Sequence, residues 1–81
     1  MHTGLMWFDS DPQATLVTKI ENAAAYFQKK YGKLPDLCLV DPSILDNDQI
    51  EVHSKNGKVV SIRPYRHMLP GHLWIGVEEQ S

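Results

Sequence analysis

Apolar positions recur along this chain with two different periods. Leu5-Met-Trp-Phe8 and Leu37-Cys-Leu-Val40 are short unbroken runs, each stopped by an aspartate, Asp9 or Asp41. Between them Leu16, Ile20, Ala23 or Ala24, Phe27 and Tyr31 recur every three to four residues, the spacing that lines one face of a helix. The pattern predicts a strand over 4–9, a helix over 12–31 and a second strand over 36–41. At the helix entrance Asp11 is placed to accept hydrogen bonds from free amides, and Pro12 suits a first helical position that needs no donor. Gly32 supplies a left-handed stop, and Pro35 keeps the helix from running on. A helix of this length can cross between parallel strands, which puts Asp9 and Asp41 at matching strand ends. Four consecutive apolar residues suit a strand buried on both faces, so 37–40 is expected at the centre of the sheet.

Past Pro42-Ser43, which ends the second strand, Ile44 and Leu45 are expected to fold back over the core as a short turn. The remainder of the chain alternates. Ile50-Glu-Val-His53 has the period of a half-buried strand, Ser54-Lys-Asn-Gly-Lys58 is a hairpin turn signal, and Val59 to Arg63 returns. Pro64 and Pro70-Gly71 interrupt the next stretch. His72 to Glu78 reads as the last strand, with Leu73, Ile75 and Val77 on one face and Trp74 and Gly76 on the other. The expected fold is α+β, a single mixed sheet of four to five strands in the order β-α-β-β-β-β, with one long helix packed on one face and one domain spanning 1–81. One helix covers only one face of such a sheet. Trp7, Trp74, Tyr65 and the Met68-Leu69 pair exceed what it can bury, which points to a partner surface or a homodimer, with a second layer formed by the hairpin as the competing explanation.

Composition narrows the function classes. The 81 residues are 42% hydrophobic, enough for a small core that buries about 60 to 65% of the extended-chain surface. No apolar stretch approaches the roughly 20 residues that span a bilayer, and the N-terminus lacks a basic segment followed by a long apolar run. The expectation is a soluble cytoplasmic protein without membrane association. Cys38 is the only cysteine, which excludes an internal disulfide, and its apolar neighbours suit core packing.

Eight Lys and Arg against ten Asp and Glu give a formal charge of −2, a weak electrostatic footprint for nucleic acid. The distribution is uneven. Residues 53–72 carry Lys55, Lys58, Arg63 and Arg66 together with His53, His67 and His72, and no acidic residue.

Three kinds of chemistry fit these residues. Tyr65, Met68, Leu69 and Trp74 form a candidate interaction patch, since aromatic and apolar side chains supply large contact areas at partner surfaces. Lys55, Lys58, Arg63, Tyr65, Arg66 and His67 offer phosphate contacts beside a ring able to stack on an exposed base, a weak nucleic-acid surface. Asp9 and Asp41, with Asp11 as a third oxygen ligand, are candidates for a magnesium site in an enzyme or enzyme subunit. A zinc reading of His53, His67 and His72 needs a further convergent ligand, and nothing local positions Ser43 or Cys38 with His72 for acyl transfer. No phosphate-binding glycine loop, paired metal-binding histidines or serine elbow is present, and no cofactor is implied. The leading expectation is a noncatalytic protein-interaction or accessory module.

Overall fold

The computed structural model describes residues 2–45, 51–53 and 59–78. Along them run β1 (His2–Phe8), α1 (Leu16–Tyr31), β2 (Leu37–Val40), a 3-10 turn at Pro42–Ile44, β3 (Glu51–His53), β4 (Val59–Pro64) and β5 (His72–Glu78). The architecture is α+β, with one mixed five-stranded sheet in the spatial order β1-β5-β2-β4-β3. The apolar run of β2 does occupy the central place. It pairs parallel with β4 and antiparallel with β5, while β1 pairs antiparallel with β5 alone and β3 antiparallel with β4. β1 and β2 therefore point the same way, joined by α1, but β5, the last of the described strands, is inserted between them.

The helix starts at Leu16, not at Pro12 as the sequence pattern predicts. The aspartates upstream hold turns of their own: Asp9 Oδ1 accepts from the Asp11 N–H at 2.9 Å, and Asp11 Oδ1 from the Gln13 N–H at 2.9 Å. Such side-chain bonds compete with helix geometry. Thr15 then caps the helix, its Oγ1 accepting from the Thr18 N–H at 3.1 Å. The other end is as expected: Gly32 adopts φ 75° and its N–H donates to the Gln28 carbonyl at 2.8 Å. Lys29 and Lys30 lie in the last turn, where positive charge meets the negative end of the helix dipole.

Helical spacing brings Ile20, Ala23, Ala24 and Phe27 onto the sheet, where they join Cys38, Val40, Val52, Val60, Ile62, Leu73 and Ile75 in one buried cluster. Tyr31, the last residue of the expected face, is partly exposed, with its ring 4.7 Å from that of Phe27. The strand register sets which side chains face α1. Trp7 lies opposite Leu73 and Leu5 opposite Ile75, so both turn toward the helix and pack against the cluster. Trp7 thus belongs to the covered face, contrary to the expectation that it adds to the uncovered one. Its indole N–H is buried with no acceptor among the described residues. Leu45 packs against the cluster, whereas Ile44 is exposed.

Asp36 ties three strands together at the start of β2. Its N–H donates to the Gly76 carbonyl, its carbonyl accepts from the Ser61 N–H, and its Oδ1 accepts from the Glu78 N–H, each at 2.9 Å. β3 and β4 pair from Glu51↔Ser61 to His53↔Val59; the expected turn at 54–58, with Lys55 and Lys58, lies outside the described residues. No helix among the described residues is long and apolar enough to cross a membrane.

Candidate interaction surface

Because β1, β2 and β4 all run toward one edge of the sheet, Asp9, Asp41 and the segment after Pro64 lie along that edge, where β5 begins. The insertion of β5 keeps the two strand-end aspartates apart, with backbones two strand spacings from each other, about 10 Å. Their carboxylates also have local partners. Asp9 closes its turn with Asp11, and Asp41 Oδ1 accepts from the Ser43 N–H at 2.8 Å, a bond that holds the exposed Asp41 carboxyl below the usual carboxylate range. Lys19 Nζ donates to the Asp9 carbonyl at 3.1 Å, which brings a cation into the same neighbourhood. Among the described residues no three His, Cys, Asp or Glu side chains converge to hold a metal ion. Asp9, Asp11 and Asp41 are therefore not gathered as a ligand set, and neither are His53, His67 and His72.

Cys38 is fully buried, and that burial pushes its thiol up to about 12. A thiol so far from ionising is no nucleophile near neutral pH. His72 Nδ1 lies 2.9 Å from the Pro70 carbonyl and its ring stacks 4.8 Å from that of Phe8, so its contacts are structural.

The basic segment is exposed at Arg63, Tyr65, Arg66 and His67. Arg63 projects from β4 on the side away from α1. The other three sit in the connection to β5, which is held by the Tyr65 N–H on the Val40 carbonyl at 2.7 Å and the Met68 N–H on the Tyr65 carbonyl at 3.2 Å. Tyr65 and His67 meet edge to face at 5.7 Å. The ionised Asp41, next in the chain to Val40, shares this end of the sheet with them. Of the expected interaction patch, Tyr65 and Leu69 are exposed and Trp74 is half-buried, but Met68 is buried. Met68 packs within the chain and is not offered to a partner.

The sheet face away from α1 holds residues that the sequence pattern did not single out. The register puts Gly4, Met6 and Phe8 of β1 beside Gly76, Trp74 and His72 of β5, with Leu37 and Leu39 of β2 next in line. Trp74 lies over both glycines: a Cβ at Gly4 would overlap its six-membered ring, and one at Gly76 would sit 2.7 Å from Cη2. Outboard of this indole, Met6 and Phe8 remain 49% and 58% exposed. Around the edge on the helix side, Tyr26 is 47% exposed with its ring 5.4 Å from that of Trp7. The Leu5-to-Phe8 run does contain the signal, since a strand sends alternate side chains to opposite faces. Assigning Met6 and Phe8 to the uncovered face needed the register.

No protein-family model, curated protein or solved structure matches the chain.

Proposed function

We propose that this chain is a noncatalytic interaction module that acts by self-association through the β1–β5 half of its sheet. One observation carries the reading: Met6 and Phe8, large apolar residues on a regular strand, stand about half exposed or more on the face away from the only long helix among the described residues. Burying the half of each side chain that is still exposed gains about 0.7 to 1.5 kcal/mol apiece before the costs of association. The chemistry of the strand ends supports the same reading, because the carboxylates there are occupied with local turns.

Light scattering over a concentration series tests it. The expected result is a mass rising from 9.2 kDa toward twice that value, with little response to added salt, since residues 3–8 of β1 carry no charged side chain. A mass that stays at 9.2 kDa up to roughly millimolar chain, the strength at which binding is worth about 4 kcal/mol, overturns it.

A second reading has its own observation. Arg63 shares the uncovered face with Phe8, His72 and Trp74, and rings with a cation on an open sheet are the means by which some domains hold single-stranded nucleic acid. Glu51, beside Ser61 on the same face, and the net charge of −2 oppose it. Binding to oligonucleotides that falls steeply with salt and weakens in Arg63→Ala and Arg66→Ala, in a chain that stays monomeric, would replace the first reading with this one.

A further inference from the structure

β1 is an end strand. β5 pairs with one of its edges, and among the described residues no strand pairs with the other. The Asp9 N–H donates to the Gly71 carbonyl at 2.9 Å, which sets the phase of the ladder. Backbone groups of Thr3, Leu5 and Trp7 turn toward β5, and those of Gly4, Met6 and Phe8 turn outward.

Edge strands are ordinarily protected by shortness, charge, proline or a bulge. The other end of the sheet has such protection, because Glu51 and His53 of β3 are exposed. β1 has none of these features. It runs for seven residues without proline, Asp, Glu, Lys or Arg, and its register with β5 is unbroken from His2↔Glu78 to Phe8↔His72.

We infer that β1 pairs antiparallel with β1 of a second copy about a two-fold axis at Leu5, joining the two sheets edge to edge. This inference rests on the self-association proposed above and names the element that carries it. A second copy fits the edge because the strand is complementary to itself. Centred on Leu5, the pairing engages every residue of β1 and sets Leu5 against Leu5, and the large Met6 and Trp7 against the small Gly4 and Thr3. The outward groups of Gly4, Met6 and Phe8 then fall at the hydrogen-bonded positions. No charged pair from positions 3–8 meets across the axis.

Strand pairing alone is narrow against the roughly 1,200 Å² at which stable interfaces begin. The flanking side chains add to it on both sides, Met6 and Phe8 on the open face and Tyr26 beside Trp7 on the helix face. Two-fold pairing consumes both β1 edges, and among the described strands leaves only the β3 edges, with Glu51 and His53 exposed, at the ends, so the assembly closes at two copies.

The test compares two substitutions at one outward-facing position. Met6→Pro removes an N–H that β5 does not use, and Met6→Thr keeps it while removing most of the apolar side chain. The expected result is that Met6→Pro dimerises about 100-fold or more less tightly than Met6→Thr, since both lose the methionine side chain and only proline also loses two hydrogen bonds and adds a ring clash.

Amide exchange on the unaltered chain reads the same contact without relying on the folding of the proline variant. The Gly4 and Met6 amides should gain protection as concentration rises, while Leu5 and Trp7 stay protected throughout. A dimer that tolerates Met6→Pro with its fold intact, or one whose Gly4 and Met6 amides exchange equally fast at low and high concentration, overturns edge pairing and leaves self-association standing. A monomer at every concentration removes both.

Discussion

A methyl group at Gly76 would run into the Thr3 carbonyl of the neighbouring strand, and one at Gly4 would meet the Trp74 ring and lie 2.7 Å from the Ile75 carbonyl. The first obstacle is mainly backbone and the second mainly a side chain. Overpacking of this kind costs about 1 to 3 kcal/mol. We therefore expect Gly4→Ala and Gly76→Ala each to lower stability in urea unfolding by about that amount. Adding Trp74→Leu should recover part of the Gly4→Ala loss and little of the Gly76→Ala loss; equal recovery of both would contradict the placement of the indole. Cys38 offers a test of the core. With its thiol held up to about 12 in the fold, the unfolded chain releases a proton from about pH 9 that the folded chain retains. Stability should then fall as pH rises through this window, by up to about 1.4 kcal/mol per pH unit from this group. Cys38→Ala should show a shallower decline between roughly pH 8 and 10.5, and parallel curves would mean that the thiol is not shielded. The roles of Gly4 and Gly76 could not be read from the chain, because they depend on which strands lie side by side.

Local signals account for most of the elements. The three-to-four spacing from Leu16 to Phe27 became the buried face of α1, the Gly32 stop became its C-cap, and the alternation of Leu73, Ile75 and Val77 became the helix-facing side of β5. The helix start expected at Asp11-Pro12 moved to Thr15, whose hydroxyl has the same capping chemistry, because the carboxylates of Asp9 and Asp11 close turns of their own. Losing a true N-cap costs about 1 kcal/mol. Thr15→Ala should therefore destabilise the chain by about that amount and Asp11→Ala by about half of it or less, as measured by urea unfolding. A larger loss at Asp11 would place the functional helix boundary upstream. The insertion of β5 between β1 and β2 was not legible, since it is a pairing between the two ends of the chain. That same pairing makes β1 an edge, so the candidate surface could not be located before the topology was known.

At the scale of the whole molecule, the apolar residues exposed beside the sheet are only in part those the sequence pattern names. Met68 is packed inside and Trp7 lies under the helix, while Met6 and Phe8 take their places on the open side. The two forms of self-association that this surface permits differ in shape. A single chain has a Cα radius of gyration of 11.7 Å. Two copies joined through β1 have centres about five strand spacings apart, near 24 Å, and combine to a value of about 17 Å. Two copies stacked face to face, with sheets about 10 Å apart, give a more compact particle of about 14 Å. Small-angle X-ray scattering at a concentration where the mass is doubled is the most direct measurement. Edge pairing predicts a radius near 17 Å, plus a small increment for side chains and hydration. A value near 14 Å would contradict edge pairing, and one near 12 Å, with the mass of a single chain at every concentration, would contradict self-association itself.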